Sequence, residues 1–361
     1  MKFIKLHKQL ITIFSILLIL FIITILSFDI FQSDSDKEDE AHLCDIAILT
    51  SKSLDSEYFS QIENSVSNIA SELDKSYKTF SLSDYNNSYD KTLEAAVKSN
   101  ASLVILPDSS YEETMYNYQS LYVNTYFLLI DGIPHNSDST DSTINYNVYS
   151  LVYDKSDSSF LAGYATVYEG YEQINFICDS KDSQALQYCY GFLQGTDYAA
   201  AETNNSNICI EITYPSDDEI YSHSVPINTD IIATSSDNII KDLTDDTSIS
   251  EIPIVDCDSC SINSKNIVLS ASVDLSSLIE DKILTFFHND KKNGGTLTIK
   301  NAIEYDISLD YNTSVFTKFN DDIYNKILTS VKNQEVSIIS DISIPIDELE
   351  LSHIAVTDNK K

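Results

Sequence analysis

The chain has 361 residues, 56 acids against 22 cations, no arginine, and a formal net charge of −34. A surface that acidic repels nucleic acid and anionic lipid, which excludes both as partners but says nothing about fold. Six cysteines, at positions 44, 178, 189, 209, 257 and 260, are too sparse for a disulfide scaffold. Only Cys257 and Cys260 are closely spaced, so unpaired thiols or one local disulfide are expected, with no metal site and no cofactor.

Residues 1–9 form a basic segment carrying Lys2, Lys5 and Lys8, and an apolar run without charge, Gly or Pro extends from Leu10 to Phe28. That run approaches the ~20 residues needed to span a bilayer as a helix. Cations before it and Asp29, Asp34 and Asp36 after it put the N-terminus inside and the remainder outside the cytoplasm. An uncleaved single-pass anchor in the cell membrane is expected; the alternative is secretion after signal cleavage. Residues 29–42 read as an acidic spacer.

From residue 43 the pattern alternates between strand and helix. Strands are expected at Ile46–Leu49, Thr79–Leu82, Leu103–Leu106, Tyr126–Ile130 and Val148–Tyr153, with helices at Phe59–Leu73, Asp90–Lys98 and Glu112–Leu121. The second half repeats the rhythm. Helices are expected at Ser158–Tyr168, Ser183–Ala200, Ser276–Phe287 and Asp321–Lys332. Between them fall strands at Ile174–Cys178, Ile208–Thr213, Asp230–Thr234, Ile252–Val255, Ile267–Ser270 and Thr296–Lys300. The fold class is therefore α/β, with two doubly wound parallel-sheet lobes around a cleft. The lobes divide at about 43–147 with 262–290, and 148–261 with 294–340, leaving a tail at 341–361. In the tail, Ile342-Ser343-Ile344 reads as an extra edge strand guarded by Pro345.

Ligands in such folds sit at the carboxyl ends of the strands. That rule selects Asp108, Asp131, Asp256 and Asp258, each just beyond an apolar run. Each could instead be a turn residue bonding its own backbone. No Gly-x-Ser-x-Gly, phosphate-binding glycine loop or His-Glu-x-x-His is present, so no enzyme is expected.

Five stretches in order carry a resemblance: SLVYDKSDSSFLAGYATV at Ser150–Val167, Phe127 to Gly132, Tyr190 to Gly195, Val255 to Asp258, and Gly294-Gly295-Thr296. They resemble the basic membrane protein family, the nucleoside-binding branch of the periplasmic-binding-protein type I-like solute-binding proteins. The resemblance covers about residues 45–340. It implies two lobes joined by three crossovers, a purine nucleoside as ligand and an ABC transporter permease as partner. It also implies that Asp55 and Tyr58, in the turn after the first strand, meet the ligand, Tyr58 by stacking on the base, and that Asp131 and Asp256 contact base and ribose. Asp55 could equally be a helix N-cap, and Tyr58 a surface tyrosine.

Departures from the pattern are local. The first loop, Ser51 to Leu54, and the loop Thr234 to Asp237 lack glycines. Ala233 stands where an aromatic is usual, and a lysine is replaced near Asp274. The family's lipid-bearing cysteine is missing, so the Leu10–Phe28 helix would serve as the tether. These departures leave an alternative: a divergent ligand-sensing or surface-interaction ectodomain that does not bind nucleosides.

Overall fold

A computed structural model of the chain describes residues 43–52, 56–179, 184–215, 221, 225–246, 249, 251–258, 262, 264–288 and 294–360. The anchor, the acidic spacer, Asp55 and Cys260 lie outside the described residues. Among the described residues no helix is long and apolar enough to cross a membrane.

The first sheet gathers β1 (Ile46–Leu49), β2 (Tyr77–Phe80), β3 (Leu103–Leu106), β4 (Tyr126–Ile130), β5 (Val148–Tyr153) and β11 (Thr296–Lys300). They lie in the order β11-β5-β4-β3-β1-β2, with every pairing parallel. β1 and β3 are buried on both faces, as the unbroken runs IAIL and LVIL require. The second sheet contains β6 (Gln173–Ile177), β7 (Cys209–Thr213), β8 (Ile231–Thr234), β9 (Ile254–Asp256), β10 (Ile267–Asp274), β12 (Asp306–Tyr311) and β13 (Ala355–Asp358). Its order is β12-β10-β9-β8-β6-β7-β13, with only β12 antiparallel to its neighbour. β2-β1-β3-β4-β5 and β7-β6-β8-β9-β10 have the same winding, so the topology reverses between β1 and β3 and again between β6 and β8.

Three segments cross between the sheets, as expected: β5 to β6, β10 to β11, and β11 to β12. The expected lobe boundaries need correction. Residues 148–153 and 296–300 belong to the first sheet, and 267–274 to the second. Each crossover starts after its strand has paired, so the division falls one element later than the boundaries drawn at the loops.

The helices are α1 (Ser56–Glu72), α2 (Tyr89–Lys98), α3 (Glu112–Tyr118), α4 (Lys155–Glu169), α5 (Ala185–Thr203), α6 (Asp237–Asp245), α7 (Ser276–His288) and α8 (Asp321–Lys332). α7 follows β10 but packs against α1 of the first lobe. α4 is buried from Lys155 to Val167 and lies against α5 at backbone contact. A Cβ built on Gly163 would sit 2.2 Å from the Phe192 carbonyl oxygen, and one on Gly195 1.9 Å from that of Phe160. Only glycine permits that seam.

The first and third crossovers are laced together. The Asp154 N–H donates to the Lys300 carbonyl at 2.8 Å, and the Tyr305 hydroxyl donates to the Asp154 carbonyl at 2.8 Å. Asp157, buried on α4, accepts from the Ala302 N–H at 2.7 Å and the Tyr305 hydroxyl at 3.3 Å. Burial, then Asp154, pushes the Asp157 carboxyl up to about 6 against these two hydrogen bonds. Its folded-state pKa exceeds the ordinary value, so the folded chain holds the extra proton, and this group's stabilisation is lost as pH rises from about 4 through about 6. Asp157→Asn keeps an acceptor for Ala302 without the buried charge. We expect it to flatten the pH dependence of thermal unfolding and to melt at or above wild type at about pH 8. A variant that melts lower there, with the pH dependence intact, would contradict this role.

The expected edge strand at Ile342–Ile344 is absent. Asp341 instead turns the chain, its carbonyl accepting from the Ile344 N–H at 3.2 Å and its carboxylate from the Ser343 N–H at 2.9 Å. The tail follows α5, where Gln194 bonds Ile339 in both directions at 2.8 Å and Asp197 accepts from the His353 N–H at 2.6 Å. It ends as β13, covering the open edge of β7.

Candidate ligand cleft

The carboxyl ends of the two sheets bring acids, tyrosines and one lysine together. After β3, Asp108 caps a short 3-10 turn by accepting from the Ser110 N–H at 2.9 Å, and it also accepts from the Ser51 hydroxyl. After β4, Asp131 adopts a left-handed backbone with φ 54°, its N–H held by the Leu151 carbonyl at 2.6 Å. Such a conformation is uncommon outside glycine, though Asp tolerates it better than most residues. It delivers the carboxylate to the Lys155 ammonium.

Lys155 is the first residue of α4, and only 1% of its side chain is exposed. Its Nζ lies 3.1 Å from the centroid of the Tyr153 ring at the end of β5, while donating to Asp131 Oδ1. Loss of hydration raises the Asp131 carboxyl to about 6, with Asp108 and Glu112 adding to the rise and Lys155 opposing it.

The second sheet contributes Asp256 and Asp258, and α5 contributes Tyr188. Asp256 is buried and turns inward, accepting from the Asp258 N–H at 3.0 Å and the Ser270 hydroxyl at 2.5 Å. It closes the turn that presents Asp258, which is the self-bonding role open to any strand-end Asp. Asp258 has an exposed face. Crowding by protein pushes its carboxyl up to about 8, Asp131 and Asp256 push the same way, and Lys155 and Tyr188 oppose them. Water reaching that exposed face tempers the shift.

Tyr58, from the first turns of α1, joins this group. Its phenol is raised well above the ordinary range by burial, then by Asp131, Asp108 and Asp258, so acids of both sheets surround it. Its hydroxyl is buried and has no hydrogen-bond partner among the described residues. The Tyr188 hydroxyl is likewise buried; it lies beside Asp258 and Tyr153 without a well-aligned bond to either. Orphaned buried hydroxyls are costly, and a ligand that pairs with them recovers that cost.

Of the predicted residues, Tyr58, Asp108, Asp131 and Asp258 converge, and Asp256 supports Asp258 from behind. Asp55 lies outside the described residues. The sequence reading missed Tyr153, Lys155 and Tyr188. Lys155 had no legible signal, because the expected helix began at Ser158 and left it in a polar turn; only the observed helix puts a cation at the first position, where it opposes the macrodipole. Tyr188 had none either, being one of 23 tyrosines. The glycine-free loop after β8 is braced instead by the Ser236 hydroxyl donating to Asp179 at 2.7 Å. Asp274, where the cation is missing, accepts from the Ser276 N–H at 2.8 Å at the start of α7.

Two doubly wound parallel-sheet lobes joined by three crossovers are the architecture of the periplasmic-binding-protein type I fold. Solved structures with this architecture include an ABC transporter solute-binding protein from Conexibacter woesei, with TM-score 0.58, 12% identity, and coverage of 82% of this chain and 98% of that one. A transcriptional activator of the comK gene from Bacillus halodurans aligns with TM-score 0.57 and 13% identity over 83% and 98% of the two chains. An ABC transporter solute-binding protein from Aeropyrum pernix aligns with TM-score 0.53 and 12% identity over 81% and 86%. At these identities the likeness establishes the fold. Among curated proteins no sequence matches the chain. Residues 46–345 match the family Bmp, described as ABC transporter substrate-binding protein PnrA-like, and the chain belongs to that family. The family is one of solute-binding proteins rather than enzymes, and it works with a small-molecule ligand and a permease.

Proposed function

We propose that the protein is a membrane-anchored, extracytoplasmic solute-binding protein that captures a nucleoside-like molecule, most simply a purine nucleoside, and delivers it to an ABC importer. The observation that carries this reading is the pair of buried hydroxyls of Tyr58 and Tyr188, neither with a well-aligned hydrogen bond among the described residues, set among carboxylates from both sheets. Aromatic faces suit a nucleobase, and carboxylates accept from ribose hydroxyls and base N–H groups. Family membership supports the same class of ligand.

The anchor is part of the proposal. Leu10–Phe28 would hold the domain at the membrane, with residues 29–42 as a leash. Intact mass of the membrane-bound protein tests this, and a mature chain beginning near Asp34 or Asp36 would refute it.

One observation favours a second reading, a sensing or surface-interaction ectodomain that binds no nucleoside. Lys155 already occupies one oxygen of Asp131 and sits on the Tyr153 ring, so part of the expected recognition surface is satisfied internally. Thermal unfolding with inosine, guanosine and adenosine separates the two. At a ligand concentration 100 times Kd, capture should stabilise the fold by about 2.7 kcal/mol. No shift with any of the three at millimolar concentration would leave the second reading.

A further inference from the structure

Without Lys155 the Asp131 carboxylate would stand without its partner on an acidic inner wall. Asp131 and Asp108 come from the first sheet and Asp258 from the second, and all three act on Tyr58. In a chain of net charge −34 such a pocket would gather amines and metal ions indiscriminately. Among the described residues, Lys155 supplies an ammonium that acts on both Asp131 and Asp258. It is almost wholly buried, and its partners, Asp131 Oδ1 and the Tyr153 ring, belong to the protein. A cation held this way is not displayed to a ligand as an anion-binding group. It sits at a helix N-terminus, where the dipole disfavours it, so the two partners must offset that cost as well as its desolvation. What it changes is the charge the cleft presents, and it leaves Asp131 Oδ2 as the oxygen not engaged by Lys155.

We propose that Lys155 is the specificity-setting residue of the cleft: an internal counterion that reserves the site for uncharged ligands donating through hydroxyl or N–H groups and excludes cationic ones. This rests on the nucleoside reading above for its ligand class, but the charge exclusion can be read without it. Specificity of this kind comes from the penalty imposed on the wrong ligand, here repulsion from the Lys155 ammonium and its prior claim on the Asp131 carboxylate.

The test is titration calorimetry at neutral pH with adenosine, neutral N6-methyladenosine and the cationic 1-methyladenosine, so that size and charge are separated. Wild type should bind the two neutral nucleosides and reject the cation by about tenfold or more. Lys155→Met should lose that preference, with 1-methyladenosine binding at least as well as adenosine, while Lys155→Arg should retain it. A preference unchanged in Lys155→Met overturns the proposal. Should Lys155→Met fail to fold, Lys155→Met combined with Asp131→Asn removes both charges, and cation rejection should persist in it; acceptance of the cation there overturns the proposal. If wild type binds no nucleoside, the ligand reading fails, and putrescine becomes the probe. Lys155→Met should then bind putrescine where wild type does not, and equal behaviour of the two proteins overturns the counterion role.

Discussion

Gly195→Ala is expected to cost the protein about 3 kcal/mol or more and to leave much of it unfolded at ordinary temperature. The added methyl would sit 1.9 Å from the Phe160 carbonyl oxygen and 2.7 Å from its carbon. Both are backbone atoms of a helix buried on every side, so no side chain can rotate away. Gly163 and Gly191 face the partner helix at similar distances, which locks the register and prevents relief by sliding. Overpacked cores usually lose about 1–3 kcal/mol, and backbone-to-backbone contact belongs at the upper end of that range. Urea unfolding followed by far-ultraviolet circular dichroism measures the loss. A midpoint within about 1 kcal/mol of wild type would mean that α4 and α5 do not approach this closely.

Lys155→Met should be nearly as damaging, and for an electrostatic reason. It removes the partner of Asp131, whose carboxylate is 15% exposed, and removing one member of a buried pair costs about 3–5 kcal/mol. Residual solvent contact at Asp131 places the expectation near the lower figure. Without the ammonium, the Asp131 pKa rises further, so the folded variant takes up a proton and recovers stability as pH falls. The deficit should therefore be larger at about pH 8 than at about pH 5. Lys155→Met with Asp131→Asn should regain most of the loss. A double variant no better than the single one would show that packing on Tyr153, not charge, is what Lys155 provides.

The sequence showed most of the fold because both lobes depend on short apolar runs ended by turn residues. IAIL, LVIL and YFLLI could be read directly. Sheet membership was less legible. Val148–Tyr153 and Thr296–Lys300 pair with each other, yet nothing local states which sheet either joins. β12, the polar run DISLDY, and β13 at Ala355–Asp358 escaped detection because edge strands bury little, and α6 because it is short. For the site, the strand-end rule located Asp108, Asp131 and Asp258. It could not tell that Asp256 turns inward, since Asp256 and Asp258 flank the same turn and differ only in which one the Ser270 hydroxyl reaches. Lys155 and Tyr188 lie on helices, where spacing reveals a buried face but not that it ends in a cleft.

The central claim is that this cleft, with the buried hydroxyls of Tyr58 and Tyr188 on its wall, closes on a nucleoside. Calorimetric titration of inosine, guanosine and adenosine into the wild-type protein tests it most directly. Saturable binding of one nucleoside per chain is the expected result, and absence of binding by all three up to millimolar concentration would contradict it.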